Sequence, residues 1–314
     1  MQSLYKKMNN NLNNGIDVSI IIVNYNTRQM TSECIDSVIA KTSGIEYEII
    51  LVDNASNDGS KEFFSNDERV LYVYNDDNLG FGRANNKGIE IARGRNILFL
   101  NSDTLLRNNA VKILSDYLDN KPRVGVCGGN LFDQFGAPNH SYFRRLPSIP
   151  EYFMGLRYYQ FGFGRNWQFN YMNRPINVGH ITGADLMVRK NIIDTVGSFN
   201  PRFFLYYEET ELCYRIMKAG YKIMSNPEAE IMHYRKGKIS YTTIYHIKRS
   251  FFIYLSLTCN AFERHICELM FWLKCNSSVQ TTRDRWQNFV VRSLSMDVLR
   301  QKMKKVVLLG CLIQ

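Results

Sequence analysis

Apolar runs alternate with amphipathic segments along residues 1–132 of the chain. The runs are rich in β-branched residues and are long enough for strands buried on both faces. They are VSIIIVNY (18–25), YEIILVDN (47–54), VLYVYND (70–76), NILFLNSD (96–103) and RVGVCGGNLF (123–132). Because strand–helix alternation winds a parallel sheet through right-handed crossovers, the pattern predicts an α/β domain with helices on both faces of a mostly parallel sheet.

The segments between these runs carry apolar residues every three or four positions, the period of a helix with one buried face. In the first segment the apolar positions follow Thr27, a candidate N-cap, and are Met30, Cys34, Ile35, Val38 and Ile39. The same spacing predicts a helix over about 83–93 and another near 208–219 that ends at Gly220. A further helix has one apolar face formed by Val111, Leu114 and Leu118.

Residues 133–178 interrupt this alternation. They are rich in aromatic residues, Arg, Gly and Pro, and so long a segment inside a compact domain is typical of a lid or a binding loop. Regular patterning returns at HITGADLMVRK (180–190). We therefore predict a disordered, Asn-rich tail over 1–16, a main domain over 17–234 that contains this insertion, and a basic, amphipathic helical region over 235–314.

The net charge of +10 at pH 7 lies entirely in the C-terminal quarter. Residues 1–234 carry 25 Lys and Arg against 25 Asp and Glu, whereas residues 235–314 carry 14 against 4. A neutral body with a basic end favours a tethering surface over nucleic-acid binding by the body. The seven cysteines form no Cys-x-x-Cys pair, and the N-terminus lacks the apolar run of a signal peptide. Both features suit a reducing cytoplasm.

Each of the first four predicted strands ends in Asn or Asp. These residues are Asn24 and Asn26, Asp53 and Asn54, Asn75 to Asp77, and Asn101 with Asp103. The carboxyl ends of parallel strands share one edge of a sheet, and ligands bind in the crevice outside that edge. Helix capping is the simpler alternative, because Asn and Asp are good N-caps. Capping accounts poorly for the pairs of polar residues that end the second and fourth strands. The pattern therefore predicts a ligand crevice outside this edge of the sheet.

Glycine-rich phosphate cradles do not fit this crevice. Gly80-Phe-Gly82 precedes a helix, but it follows the third strand, and Asn85 stands where a dinucleotide fingerprint has its third glycine. The chain contains no GxxxxGK[ST] loop. Another group must therefore neutralise the phosphates of a bound nucleotide, and a divalent cation held by a carboxylate is the natural choice.

The chain closely resembles family-2 glycosyltransferases, above all the rhamnosyltransferase-like branch that builds bacterial cell-surface polysaccharides. The resemblance covers about residues 17–240 in the family's order and spacing. It rests on VSIIIVNYN, EIILVDNASNDGS, NDDNLGFGRANNKGI, ILFLNSDT, ITGADLMVRK, FFLYYEETELCYRIMKAGY and IMHYRKGKIS. It implies a GT-A fold for the domain over 17–234, with 133–178 as its lid or acceptor-binding insertion. It also implies a nucleotide-sugar donor, a divalent cation (Mg²⁺ or Mn²⁺) and inversion at the anomeric carbon.

Carried over residue by residue, the resemblance assigns the donor-binding positions. The pocket for the nucleobase and ribose would be lined by Asn24, Asn26 and Asp53. The nucleotide or its sugar would lie against Asn78, Gly80, Gly82, Asn85 and the small-residue turn Gly183–Ala184. Asn101, Ser102 and Asp103 match the family's Asp-x-Asp motif, with Asp103 as the metal ligand. Asn101 replaces the first Asp and suits hydrogen bonding to ribose better than metal ligation.

The resemblance also points to the catalytic base. Glu208 and Glu209 stand where the family has Glu-Asp, whose second residue is the base, so Glu209 is the candidate and Glu208 the neighbouring alternative. Glu211 is open to a simpler interpretation, an ion pair with Arg215 one helical turn away. His233 lies where some GT-A enzymes place a further metal ligand; a structural histidine is the alternative. Asp185 receives no role.

The basic C-terminal region contains no membrane-spanning run, because its longest uncharged stretch, 250–262, is too short. Its mixture of apolar, aromatic and basic residues suits a helix on an anionic membrane or against a partner chain. A helical subdomain that completes the core is the alternative. Homo-oligomerisation stays open.

Together these features predict an inverting glycosyltransferase at the cytoplasmic face of a bacterial membrane. Its donor would be dTDP-rhamnose or a UDP-sugar, and its acceptor a saccharide or a lipid-linked saccharide. A catalytically silent partner subunit and a sugar-nucleotide nucleotidyltransferase are the alternatives. The intact Asp103 and Glu209 argue against the first, and the absence of a Gly-rich basic triphosphate loop near the start argues against the second.

Overall fold

The computed structural model describes residues 15–147, 168–234 and 241–266. By packing, the chain divides into a unit of Met1–Thr258 and a second unit of Cys259–Gln314. The described strands are β1 (Val18–Asn24), β2 (Tyr47–Asp53), β3 (Leu71–Tyr74), β4 (Asn96–Asn101), β5 (Thr104–Leu106), β6 (Val124–Phe132), β7 (Tyr142–Phe143), β8 (Ile176–Asn177), β9 (His180–Ile181), β10 (Asp185–Arg189) and β11 (Lys222–His233). The helices are α1 (Arg28–Lys41), α2 (Ser60–Phe64), α3 (Phe81–Ile91), α4 (Ala110–Asp119), α5 (Lys190–Val196), α6 (Glu208–Lys218) and α7 (Tyr241–Thr258). In the second unit, 261–266 is helical.

Nine of the described strands form one mixed sheet in the order β3-β2-β1-β4-β10-β6-β11-β5, with β8 paired to β11. Strands β1 to β4 are parallel to one another, and β11 is parallel to β6. The exceptions are β10, which runs antiparallel between β4 and β6, and the antiparallel pairings of β5 and β8 with β11. Short β7 and β9 pair separately.

Two apolar layers cover the two faces of this sheet. Ile20 and Ile22 of β1 pack on one side with α1 and α4, and Ile21 packs on the other with α3, α5 and α6. Successive residues of a strand point to opposite faces, so a strand covered on both sides is apolar along most of its length. The buried exception inside β1, Ser19, donates its hydroxyl to Glu48 at 2.6 Å. Full burial of one apolar side chain contributes about 1.5–3 kcal/mol. The predicted two-sided α/β architecture is confirmed.

The predicted elements lie within a few residues of those observed. The runs ending at 76 and 103 stop as strands at Tyr74 and Asn101, and the helix predicted over about 83–93 lies at Phe81–Ile91. Thr27 does occupy the N-cap position of α1, but its side chain makes no capping hydrogen bond. It donates instead to Asn24 at the end of β1, at 2.9 Å. Thr27 is therefore the N-cap residue by position, as predicted, but it does not cap the helix through a side-chain hydrogen bond.

Several predictions fall partly outside the described residues. These are the tail before residue 15, the insertion between 147 and 168, and the C-terminal region between 234 and 241 and after 266. Within the described ranges, no helix is long and apolar enough to cross a membrane. Cys34, Cys127 and Cys213, which lie within these ranges, are buried free thiols.

Candidate active site

The register of the parallel strands brings the polar strand ends to one edge of the sheet. Asn24 at the end of β1 lies beside Asp53 at the end of β2. On the other side of β1, Val23 pairs with Asn101, the last residue of β4. Asn75, which follows β3, donates its N–H to the Asp53 carbonyl at 2.9 Å. All four predicted strand ends are thus neighbours in one row, and the residues after them border the crevice outside the edge.

Asn24 builds this edge through its side chain. Its buried amide nitrogen donates to Ser56 Oγ at 3.0 Å, and its Oδ1 accepts from the hydroxyls of Thr27 at 2.9 Å and Thr31 at 3.0 Å. Asn26 is exposed and left-handed, with φ of 55°, and its Oδ1 accepts from the backbone of Asn57 at 2.8 Å. Both residues therefore join the loops that follow β1 and β2.

Asp53 is fully buried and accepts two hydrogen bonds from the protein. The backbone N–H of Ser56 donates to Oδ1 at 2.9 Å, and the Tyr72 hydroxyl donates to Oδ2 at 2.8 Å. Burial, followed by this hydrogen bond to Asp53, raises the pKa of Tyr72, so the phenol stays neutral. In the described helices α1 to α6, no N-cap side chain makes a capping bond. Capping therefore does not account for the polar strand ends.

A network of amides fixes the loop that leads into α3. Asn54 is buried; its Nδ2 donates to Asn78 Oδ1 at 2.8 Å, and its Oδ1 accepts from Asn75 Nδ2 at 3.2 Å. Asn78 Oδ1 also accepts the N–H of Gly80 at 2.9 Å. Asn54 and Asn75 are predicted at this edge from the sequence, without a role of their own.

Gly80 is the point at which this loop meets the segment before α6. Its φ is 81°, and a Cβ there would overlap the carbonyl oxygen of Phe204. That oxygen accepts the N–H of Phe81, the first residue of α3, at 2.8 Å. Only glycine combines this conformation with so close an approach.

Two neighbouring asparagines of α3 have different contacts. The amide of Asn85, a predicted donor-binding residue, is buried and donates to the Phe81 carbonyl of its own helix at 3.0 Å. The amide of Asn86 exchanges two hydrogen bonds with the backbone of Phe199, at 2.8 and 3.0 Å. Asn86 was missed by sequence reasoning, because a polar residue inside a helix pattern gives no sign of a partner 113 residues away.

Asp103 and His233 form a pair suited to a cation. Antiparallel pairing of β5 with β11 sets His233 opposite Thr104, and His233 Nε2 lies 3.2 Å from the Oδ1 of buried Asp103. Asn101 Nδ2 lies 3.5 Å from the same ring nitrogen. Two neighbouring ligands of one octahedral ion, each at about 2.1 Å, are about 3 Å apart, so the pair fits.

Those two side chains do not make a complete metal cage. The described ranges hold no group of three or more His, Cys, Asp or Glu side chains placed to bind one ion. Substrate phosphates and water would supply the remaining ligands, the usual arrangement for Mg²⁺ at nucleotides. Ser102, the middle residue of the motif, contacts the Thr27 hydroxyl at 3.0 Å.

The Gly183–Ala184 turn joins the motif after β4 to the start of α6. The Ala184 carbonyl accepts the N–H of Asn101 at 3.0 Å. A Cβ on Gly183 would lie 3.3 Å from the Phe81 ring and 4.0 Å from Glu209 Cγ. The small residues therefore let Glu209, the start of α3 and the end of β4 approach one another.

Glu208 and Glu209 begin α6 in different surroundings. Glu208 is buried against Gly82, whose Cβ would lie 3.4 Å from Glu208 Cβ, and its Oε2 has no hydrogen-bond partner. Burial, and then the charge of Glu209, raise the pKa of Glu208. Glu209 is partly exposed, and Thr210 Oγ1 donates to it at 3.1 Å. Burial raises its pKa as well, so the pair holds protons more firmly than free carboxylic acids do.

Glu211, two residues further along α6 than Glu209, makes the ion pair expected of it. Its carboxylate accepts from Arg215 Nε at 2.8 Å and from a terminal nitrogen at 2.9 Å. Arg215 also donates to the carbonyls of Val196, Gly197 and Ser198 at the end of α5. Arg215, which the Glu211 carboxylate holds, thus ties α6 to the end of α5.

The family of the chain follows from comparison with known proteins. The family model described as glycosyl transferase family 2 matches residues 19–197, more than half of the chain. The chain belongs to glycosyltransferase family 2. This confirms the predicted family, although the matched range ends before Glu208, Glu209 and His233.

Curated relatives of this family-2 glycosyltransferase include proteins named for sugar transfer. The low-salt glycan biosynthesis hexosyltransferase Agl10 of Haloferax volcanii is 26% identical over 230 residues, which cover 69% of this chain and 67% of that protein. The N-acetylglucosaminyl-diphospho-decaprenol L-rhamnosyltransferase of Mycobacterium tuberculosis is 28% identical, covering 60% and 66%. The dTDP-rhamnosyl transferase RfbF of Shigella flexneri is 24% identical, covering 69% of each. The chain thus spans about two thirds of each relative.

A solved structure shows the same fold. A crystal structure of GalNAc-T7 with UDP, GalNAc and Mn²⁺ superposes with a TM-score of 0.54 at 16% identity, covering 71% of this chain and 45% of that one. The predicted GT-A architecture is confirmed, and α7 and the 261–266 helix supply the predicted C-terminal helices within the described residues.

Proposed function

We propose that this glycosyltransferase moves a sugar from a nucleoside-diphosphate donor to a saccharide or lipid-linked acceptor with inversion at the anomeric carbon. The observation that carries the proposal is the contact chain from Asn101 through the Gly183–Ala184 turn to Glu209. It sets a candidate base at the same sheet edge as the Asp103–His233 pair. An inverting displacement needs a base and a diphosphate-binding group on one site, because both act on the same anomeric carbon.

In this proposal Asp103 and His233 hold a divalent cation, Mg²⁺ or Mn²⁺. When bound, such a cation stabilises the negative charge that develops on the leaving diphosphate. Asn101, whose amide nitrogen lies 3.5 Å from His233 Nε2, would orient the ribose rather than bind the metal. The Mn²⁺ in the crystal structure of GalNAc-T7, which has the same fold, supports a divalent cation at this site.

Glu209 is the proposed general base. The acceptor hydroxyl oxygen attacks the anomeric carbon, the bond from that carbon to the diphosphate oxygen breaks, and the hydroxyl proton passes to a Glu209 carboxylate oxygen. Glu209 is more exposed than Glu208 and lies beside the Gly183 turn. A pKa raised by burial makes its carboxylate a stronger base than an exposed glutamate.

Glu208 in this proposal keeps its proton. Glu208 as a whole is 3% exposed, one carboxyl oxygen has no partner, and a second ionised carboxylate beside Glu209 would be repelled. It therefore does not compete with Glu209 for the acceptor proton.

The proposed donor is dTDP-rhamnose or a UDP-sugar, supported by the rhamnosyltransferase names of two relatives. The proposed acceptor is a saccharide or a lipid-linked saccharide of bacterial surface polysaccharide, supported by the diphospho-decaprenol in the name of one of them. The insertion over 133–178 is proposed to cover the bound donor, since a closed site keeps water from competing with the acceptor.

Metal-dependent thermal stabilisation tests the donor site. We expect dTDP, UDP and their sugars to raise the melting temperature only with Mn²⁺ or Mg²⁺ present; a ligand at 100 times its Kd stabilises by about 2.7 kcal/mol. Asp103→Ala should fold but lose most of this shift. Asp116→Ala on α4, an exposed carboxylate paired with Lys112, is the matched control and should keep it. Equal shifts in EDTA, or in Asp103→Ala, would contradict the metal role.

We also propose peripheral attachment of the basic C-terminal region to the cytoplasmic, anionic face of a membrane. The support is its charge of 14 basic against 4 acidic residues and the exposed apolar side chains of Tyr245 and Leu257. Sedimentation with liposomes tests this. Binding should require anionic lipid and weaken as salt rises. Equal binding to neutral and anionic vesicles, or to neither, rejects it.

A further inference from the structure

Helix α7 packs directly on the segment Phe203–Tyr207, which leads into α6. Ser250, buried on α7, donates its hydroxyl to the carbonyl of Leu205 at 2.8 Å. One turn earlier, the His246 ring stacks on Phe204 with 4.7 Å between centroids and 24° between planes. The ring of Tyr207 lies 5.7 Å from that of Phe251 on the same helix. The Tyr207 ring also lies 5.8 Å from that of Tyr254, so the helix contacts the segment through a hydrogen bond and three ring pairs.

The other side of this segment touches the donor-binding loop. The carbonyl of Phe204 accepts the N–H of Phe81 at 2.8 Å and closes against Gly80 so tightly that no side chain fits there. Phe204 is thus held between α7 and the first turn of α3. A displacement of α7 would reach the loop of Asn78 and Gly80 through this single residue.

The segment also sets the position of Glu209. Tyr206 and Tyr207 both have left-handed backbones, with φ of 69° and 68°, immediately before Glu208. Bulky side chains rarely adopt this region, and it persists only where the surrounding structure holds it. The contacts of Ser250, His246 and Phe251 are part of that surrounding structure. These contacts therefore help to hold the turn from which the first residues of α6 start.

We propose that α7 is part of the transfer machinery, with Ser250 and His246 as positioning residues. They hold Phe203–Tyr207 in the conformation that presents Glu209 to the acceptor and closes the loop at Gly80. The proposal rests on the proposed function of Glu209. It gives a role to a helix that lies beyond the residues matched by the family model.

Hydrogen exchange in the full-length chain tests the mechanical part. Ser250→Ala and His246→Ala should speed exchange of the Phe81 amide and of peptides covering 203–209. His246→Phe keeps a ring for stacking and should restore slow exchange. Ser115→Ala is the matched control, because Ser115 is a buried helical serine that accepts a hydrogen bond from Asn96 at 3.0 Å at the opposite edge of the sheet. Ser115→Ala should leave the exchange rates of the Phe81 amide and of the peptides covering 203–209 unchanged.

Transfer kinetics with the donor found in the thermal screen test the functional part. Ser250→Ala and His246→Ala should lower kcat by about 10–100-fold, since misplacing a catalytic group by about 1 Å costs up to about 100-fold. The donor KM should change less, and His246→Phe and Ser115→Ala should stay within a few-fold of wild type. Faster exchange with unchanged kcat would overturn the positioning role.

The two proposals fail in different ways. If the wild-type chain transfers no sugar, the proposed function fails, while faster exchange in Ser250→Ala still supports the coupling of α7 to the segment. If the wild type is active and exchange in both alanine variants equals wild type, the coupling itself is overturned.

Discussion

Replacing Asp185 with Asn tests whether a carboxylic acid in the middle of the sheet stays protonated near neutral pH. Asp185 is the first residue of β10 and is fully buried. Its Oδ2 accepts the N–H of Gly129 on β6 at 2.6 Å, and its Oδ1 has no hydrogen-bond partner. Burial raises the pKa of Asp185 from 3.8 to about 8, against the opposing effect of the Gly129 hydrogen bond.

The sign and size of the effect follow from proton linkage. Between the pKa of the unfolded chain and that of the folded one, unfolding releases a proton, so stability falls as pH rises. The slope is about 1.4 kcal/mol per pH unit, which gives a loss on the order of 4 kcal/mol between pH 5 and pH 8. Asn cannot titrate, and its side-chain oxygen can still accept the N–H of Gly129. Asp185→Asn therefore lacks this pH-dependent loss of stability.

Urea unfolding at several pH values measures it. The unfolding free energy of Asp185→Asn minus that of wild type should grow from pH 5 to pH 8 and level off above about pH 8. The buried Glu208 and Glu209 titrate in both proteins, so their contribution cancels in the difference. A difference that stays constant from pH 5 to pH 8 would refute the reasoning, because Asp185 would then be ionised in the folded protein.

Two further substitutions separate fold from function. Gly80→Ala should lose metal-dependent nucleotide binding and several degrees of melting temperature, because its Cβ would overlap the Phe204 carbonyl. Gly136→Ala is the control, since Gly136 has a similar φ of 80° but open space around it. If Gly80→Ala loses no more than Gly136→Ala does, the role of this contact is contradicted. Glu211→Gln should lose about 1.5–3 kcal/mol of stability in urea unfolding, because it weakens the charged hydrogen bonds with Arg215, and it should keep kcat. A loss of kcat would instead make Glu211 catalytic.

Much of the fold could be predicted because buried parallel strands are continuous apolar runs with sharp polar ends. The run 18–25 became β1 at Val18–Asn24, and 47–54 became β2 at Tyr47–Asp53. The same ends located the candidate site, since parallel register must bring Asn24 and Asp53 together. The family resemblance then supplied roles that spacing could not, such as that of Glu209.

Long-range partners could not be predicted. Nothing in the pattern indicates that β10 inserts antiparallel between β4 and β6. Pairing of β7 with β9 across the insertion stacks Phe143 on His180 at 4.4 Å, and burial then lowers the pKa of His180 to about 3. The contact of Ser250 with Leu205 likewise joins residues 45 positions apart. Such contacts depend on tertiary packing, which the local periodicity of the sequence does not indicate.

The role of Asn24 shows a further limit. A polar residue at a strand end indicates a ligand edge, but its amide here is occupied by Ser56, Thr27 and Thr31. Sequence cannot distinguish a side chain that contacts the ligand from one that shapes the loop beside it.

The rate of sugar transfer by Glu209→Gln tests the central claim most directly. Gln keeps the size and hydrogen-bonding capacity of Glu but cannot accept the acceptor's proton. We expect Glu209→Gln to bind metal and nucleotide as wild type does, to keep the same anomeric configuration in any residual product, and to transfer about 10²–10⁴-fold more slowly. Glu208→Gln and Glu211→Gln, measured beside it, should remain within a few-fold of wild type. Transfer by Glu209→Gln within a few-fold of wild type, with Glu208→Gln inactive, would contradict the account and move the base to Glu208.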